Sequence, residues 1–153
     1  MIPLSVPNIN GNEWHYVKDC LDTGWISSAG AYVNKFEKII ENYTGVKHAV
    51  ACMNGTAGLQ VSLRLAGVSS SDIVIAPNLT FVATLNAISY SGAEIVLIDV
   101  CKDSWQMNID LLQNWLENNS ITKIVNGETI TTEITSGKKI GAIMPVYVLG
   151  GFM

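Results

Sequence analysis

Residues 73–98 read IVIAPNLTFVATLNAISYSGAEIVLI, and the fold turns on that stretch. Ile73-Val74-Ile75-Ala76 and Ile95-Val96-Leu97-Ile98 are short runs, apolar at every position, closed by Pro77 and Asp99. Between them, Phe81 to Tyr90 has the composition of a helix, and Gly92 ends it. A strand with no polar face has to be covered on both sides. That is the situation of a parallel sheet packed between helices.

Working outward, Ala49-Val50-Ala51-Cys52 is predicted as another strand of this kind. A helix follows from Thr56 to Leu65, with Leu59 and Leu63 on one face and Gly67 as its stop. Downstream, Leu111, Leu112, Trp115 and Leu116 mark a helix, and Ile140 to Val148 reads as a further apolar strand before Gly150-Gly151-Phe152-Met153. The polar, β-prone run Thr129 to Thr135, followed by Ser136-Gly137, predicts one arm of a small exposed hairpin near 129–140. Upstream, Asn10 with Glu13 resembles a capping box ahead of Trp14, Val17 and Leu21, with Gly24 as the stop. Val33, Phe36, Ile39, Ile40 and Tyr43 mark a second helix that Gly45 ends. The expected organisation is a helical segment over 1–45 and an α/β core over 46–153, the sheet mostly parallel.

Composition narrows the function. Charged residues are 14% of the 153 and hydrophobic ones 48%, against roughly 25% charged in soluble domains. Such a chain is expected to form a large interface, or to be part of a larger fold, and to be poorly soluble alone. The net charge is −4 with a single arginine, Arg64. A nucleic-acid surface, which needs clustered cations, is not expected. No apolar run reaches the roughly 20 residues of a membrane span, and Met1-Ile2-Pro3-Leu4 does not open a signal peptide. Cys20, Cys52 and Cys101 are odd in number and far apart, fitting neither a disulfide framework nor a zinc site. A cytoplasmic protein without a metal is expected.

The pattern richest in chemistry is Met53-Asn54-Gly55-Thr56-Ala57-Gly58, placed between a predicted strand and a helix. The first amides of a helix lack internal partners and carry partial positive charge, which suits an anion such as a phosphate. Gly55 admits close backbone approach and Thr56 adds a hydroxyl. The same residues also read as an ordinary tight turn capped by Asn54 or Thr56, the commoner use of such a turn. There is no Gly-x-Gly-x-x-Gly and no Gly-Lys-Ser/Thr, so neither a dinucleotide fold nor a nucleotide triphosphatase is supported. Phe81 follows the next strand on the same side of the sheet, where it could lie against a flat ring or simply fill the core.

The ordered set Ile2-Pro3-Leu4-Ser5, Gly11-Asn12-Glu13, Thr23-Gly24-Trp25-Ile26-Ser27-Ser28, Asn54-Gly55-Thr56-Ala57, Thr80 to Ile88 and Gly92-Ala93-Glu94 resembles the DegT/DnrJ/EryC1/StrS family of sugar aminotransferases. The likeness covers essentially the whole chain. It is strongest to the branch that aminates UDP-4-keto-6-deoxy-N-acetylhexosamines, of the legionaminic-acid and bacillosamine type. The Thr/Ile-rich hairpin before Met144-Pro145-Val146 also suits that branch.

The resemblance implies a partial type I PLP-dependent transferase fold, with residues 1–153 the N-terminal part of the large domain that binds pyridoxal 5'-phosphate. Carried onto matching positions, it implies cofactor binding by Gly55, Thr56 and Ala57, whose turn would hold the phosphate, and by Phe81, stacked on the pyridine ring. Trp25, Ser27 and Ser28 would lie near a nucleotide-sugar substrate or a subunit interface. The implied reaction moves an amino group from glutamate to a 4-keto-6-deoxy sugar nucleotide in a homodimer. Tyr147 departs from the family, which more often has histidine there. The Schiff-base lysine and the carboxylate for the pyridine nitrogen are implied beyond the Pro145-Val146 strand. None of Lys18, Lys35, Lys38, Lys47, Lys102, Lys123, Lys138 and Lys139 sits in the family's serine-rich lysine motif, so the chain alone is expected to be inactive. The alternatives are one half of a split enzyme, or a non-enzymatic α/β module that binds a phosphorylated ligand.

Overall fold

The computed structural model describes residues 2–3 and 5–150. Leu4 of the Ile2-to-Ser5 segment and the terminal Gly151-Phe152-Met153 lie outside the described residues. The chain divides into two compact units, Met1–Ala51 and Cys52–Met153.

The first unit contains helices α1 (Glu13–Thr23) and α2 (Ala31–Thr44). Gly24 and Gly45 end them at φ 74° and 75°, a left-handed turn that glycine enters without a Cβ penalty. The expected capping box does not form. Asn12 occupies the cap position of α1, Asn10 bonds to Asn8, and Glu13 accepts a hydrogen bond from the Gly11 N–H at 2.9 Å. The cap sits two residues later than expected, which puts Glu13 in the first turn, from where its carboxylate reaches back to the Gly11 amide. Tyr16 and Tyr32 meet edge to face at 5.1 Å, and the Tyr32 hydroxyl donates to Asp19 at 3.0 Å. That bond to a carboxylate raises the Tyr32 pKa above its ordinary value.

The predicted strand at 49–52 is not formed. The backbone amides of Ala49 and Ala51 donate instead to Glu41 at 3.4 Å and Glu37 at 2.8 Å, carboxylates one turn apart on α2. Alternate amides of an extended chain point the same way, so two side chains take the place of a neighbouring strand. Glu41 is held below the usual glutamate pKa, chiefly by its hydrogen bond to Lys38.

The second unit runs α3 (Gly55–Leu65), β1 (Ile73–Pro77), α4 (Val82–Tyr90), β2 (Glu94–Ile98), α5 (Ile109–Asn119), β3 (Ser120–Val125), β4 (Glu128–Glu133) and β5 (Ile140–Ile143). Three strands form a parallel sheet in the order β2-β1-β5. All five residues of the central strand β1 are buried. Val74 and Ala76 pack with Leu63, Ala87 and Ile88 of α3 and α4. Ile73 and Ile75 pack with Ile98, Met107 and Leu112, on the side where α5 adds Trp115 and Leu116. The two covered faces that the apolar run demanded are therefore present. Each fully buried Val or Ile stabilises by about 1.5–3 kcal/mol.

The β5 strand ends sooner than its apolar run, at Ile143, although the Met144 N–H still donates to the Ile75 carbonyl at 2.8 Å. Gly141 is set against Asp72, where an added Cβ would come within 3.1 Å of the Asp72 Cβ. The hairpin is present but lies earlier than 129–140. The arms are β3 and β4, paired antiparallel from Ser120↔Glu133 to Val125↔Glu128. Its turn is Asn126-Gly127, at φ 52° and 85°, the two-residue geometry in which both central residues need positive φ. The segment after β4 adds one antiparallel bridge, Thr132↔Lys139. Among the described residues no helix is long and apolar enough to cross a membrane.

Candidate functional site

Because the sheet is parallel, its carboxyl edge is defined by connectivity. The α3 helix reaches the amino end of β1 through a short turn at Ala66–Asp72, so the first turn of α3 lies at the carboxyl end of that strand. The α4 helix begins five residues past Pro77, at Val82, and runs back to β2. Both helices therefore present their N-termini at the same edge, and both pack on the same face of β1. Ligands of open α/β sheets bind beyond that edge.

At the start of α3, Asn54 is the cap: its side-chain oxygen accepts from the Ala57 N–H at 2.9 Å, and the Gly58 N–H donates to the Asn54 carbonyl at 3.1 Å. The capped-turn reading of this segment therefore describes its geometry. It leaves the Gly55 and Thr56 amides at the mouth of the helix without intrahelical acceptors. No acidic residue stands in the first turn of α3, whereas α1 and α5 carry Glu13 and Asp110 there. An anion at α3 thus meets helix polarity without carboxylate repulsion. A Cβ added at Gly55 would meet nothing within 4 Å, so the space is open.

Phe81 is the cap residue of α4 and is 78% exposed. It does not pack into the core of this unit, so its ring is available at the sheet edge. Beside it, the Thr80 and Thr84 hydroxyls are hydrogen-bonded at 2.8 Å, and Thr84 is buried. Gly55, Thr56, Ala57 and Phe81 thus belong to one edge of the second unit. Trp25, Ser27 and Ser28 belong to the loop between α1 and α2 in the first unit, where Trp25 is exposed and lies 3.8 Å from where a Gly30 Cβ would be. Among the described residues no cluster of three His, Cys, Asp or Glu could hold a metal.

One residue at this edge escaped sequence reasoning. Gln106, 2% exposed in the loop after β2, donates from Nε2 to the Val148 carbonyl at 2.9 Å and accepts from the Val148 N–H at 3.2 Å. A glutamine between Trp105 and Met107 carries no local signal of a partner 42 positions away.

The pattern of the DegT/DnrJ/EryC1/StrS aminotransferase family matches residues 7–153. The chain belongs to this family. A GDP-perosamine synthase of Caulobacter vibrioides is 45% identical over 149 residues, 97% of this chain and 35% of the relative. Among solved structures, a family aminotransferase from Brucella abortus superimposes with a TM-score of 0.72 at 31% identity, covering 91% of this chain and 34% of that one. A Streptococcus pneumoniae protein described as a sugar aminotransferase, solved in its PLP-form, gives a TM-score of 0.68 at 34% identity over 74% of this chain and 29% of its own. The chain spans about a third of the length of the curated DegT/DnrJ/EryC1/StrS relatives. Its α/β architecture, with helices on both faces of a parallel sheet, is a part of the family's PLP-dependent aminotransferase fold.

Proposed function

We propose that residues 1–153 form the N-terminal part of the large, pyridoxal-phosphate-binding domain of a nucleotide-sugar aminotransferase. The observation that carries this is the meeting, at one sheet edge, of an α3 N-terminus without carboxylates and the exposed ring of Phe81, in a chain of this family. The amides of Thr56 and Ala57 would hold the phosphate, with Gly55 giving the backbone room. Ala57 reaches the phosphate only when the Asn54 side chain lets go of its amide. Phe81 would cover one face of the ring. When bound, the cofactor supplies an electron sink for amino transfer. The chain's own part is to place and orient it. Trp25, Ser27 and Ser28 would serve the nucleotide-sugar end, in a homodimer.

The acceptor is a 4-keto-6-deoxy sugar nucleotide and the donor glutamate. The nucleotide is open between two sources: the motif set favours the UDP-linked branch, while a relative at 45% identity is named for a GDP-linked sugar. The full gene product assayed with glutamate should form 2-oxoglutarate with one of the two acceptors, and formation with neither overturns the substrate class. For the site itself, the chain is titrated with pyridoxal phosphate and with pyridoxal. Saturable binding that needs the phosphate, and that Gly55→Val weakens about tenfold, is expected from an amide-held anion of roughly 1.4 kcal/mol or more. Binding indifferent to the phosphate would overturn the placement at α3.

A further inference from the structure

The sheet order β2-β1-β5 puts β1 between the two strands whose exits Gln106 joins. Neighbouring strands lie about 4.8 Å apart, so β2 and β5 are separated by about 10 Å. A tie between their exit loops has to pass over the carboxyl end of β1, which is the edge where α3 and α4 begin. The tie is a carboxamide using both its donor and its acceptor on one residue, the C=O and N–H of Val148, and so on the two successive peptides that flank it. Gln106 is itself held from behind. Its Nε2 also donates to the Ser104 carbonyl at 3.1 Å, its backbone N–H to the Ser104 hydroxyl at 3.3 Å, and its carbonyl accepts from the Cys101 N–H at 2.9 Å. The loop is closed by the bridge Val100↔Met107 and by the Asn108 N–H bonded to the Asp99 carbonyl at 2.9 Å. A long, flexible polar side chain has been buried and fully paired, at a cost in rotamer freedom. What it grips is the backbone next to Tyr147, which is 52% exposed and stands four residues past the end of β5, just as Phe81 stands four past the end of β1.

We propose that Gln106 is a positioning residue: it fixes the Tyr147–Val148 peptide over the end of β1, and so sets Tyr147 at the rim of the crevice that Phe81 and the start of α3 face. It acts on ligand affinity through Tyr147 and touches no ligand. The ligand part rests on the reading of that crevice as a pyridoxal-phosphate site, but the positioning part does not.

The experiment uses the whole 153-residue chain in three forms: wild type, Gln106→Met and Gln106→Glu. Amide exchange at Val148 should quicken severalfold in Gln106→Met, because its N–H loses the Gln106 oxygen and keeps only the Val146 carbonyl at 3.2 Å, while Val74, Ile75 and Ala87 in the core keep their protection. If Gln106→Met loses the fold as a whole, Gln106→Glu decides. Its carboxylate still accepts from the Val148 N–H but cannot donate to the Val148 carbonyl, whereas its protonated acid can. The carbonyl-carbon chemical shift of Val148 should therefore move back toward the wild-type value as pH falls, a profile that a loss of packing would not give. Unchanged protection at Val148 in Gln106→Met, or no acid recovery in Gln106→Glu, overturns the proposal. Pyridoxal phosphate is then the probe for the role of Tyr147. Gln106→Met should weaken its binding severalfold in the wild-type background and not further in Tyr147→Ala. Absence of binding by the wild-type chain overturns the assignment of the crevice, whereas binding that Gln106→Met leaves unchanged overturns only the positioning role of Gln106.

Discussion

Strand β1 and the β3–β4 hairpin are β-structure of nearly equal strand length, held in place by opposite means. The five residues of β1 are buried on both faces and pair with residues 21 and 67–68 positions further on, so packing and non-local pairing decide where β1 lies. The hairpin leaves Ile121, Ile124 and Val125 exposed, pairs residues adjacent in sequence, and is set by its Asn126-Gly127 turn and a Thr122–Thr131 hydroxyl pair at 2.9 Å. Damage to the first should unfold the whole unit, and damage to the second should stay local. The site residues belong to the β1 half of this contrast, since Phe81 and the start of α3 are placed by the elements around that strand.

The largest effect is expected at Ile75, which is fully buried against α5. Ile75→Ala should cost about 2–5 kcal/mol by leaving a cavity, seen as a lower denaturant midpoint of the whole unit. A loss confined to one element would break the contrast. Next comes Gly92, at φ 77°, where an added Cβ would stand 2.8 Å from the Ser70 Cβ. Gly92→Ala should cost about 2 kcal/mol from the left-handed conformation and the clash, again as a shift of the cooperative melt, with no shift refuting the close approach. Smaller still, Gly127→Val should cost about 1 kcal/mol and raise amide exchange in β3 and β4 while the amides of Val74 and Ile75 keep their protection.

The smallest effect is pH-dependent and sits at the end of β4. Glu133 accepts hydrogen bonds from the amides of Thr135 at 2.9 Å and Ser136 at 2.6 Å. The Ser136 side chain first, and then these two amides, hold its carboxyl well below the ordinary glutamate range, at about 2. The folded value lies below the unfolded one. The stabilisation is therefore complete above the ordinary glutamate pKa and fades as pH falls toward 2. Glu133 is half-buried and its partners lie in one turn, so the effect is a local loosening of residues 134–137, read as faster exchange at Ser136 in acid. Glu133→Gln should remove the pH dependence, and its persistence would point to another group.

How much was legible follows the same division. The apolar run at 73–77 could be read because burial on both faces leaves it no polar position. The run at 94–98, which opens on Glu94 and is only partly covered, was legible from its four apolar residues. Gly24, Gly45 and Gly92 could be read as stops because each adopts positive φ. The hairpin turn at Asn126-Gly127 was as strong a local signal as any, yet the run after it drew the reading downstream to Ser136-Gly137. At 49–52 the local signal misled. An apolar, extended segment looks the same whether its amides face a strand or the carboxylates of Glu37 and Glu41.

The sequence by itself determined the alternation of buried strands and covering helices, the glycine-bearing turn before α3, and the family. These are written in local composition and in motifs whose order survives along the chain. Only the tertiary structure decided that Asn54 caps the Ala57 amide, that Phe81 faces solvent, and that Gln106 holds Val148. Hydrogen-bond partners and exposure depend on which distant backbone the fold brings alongside, and no residue type at one position specifies that.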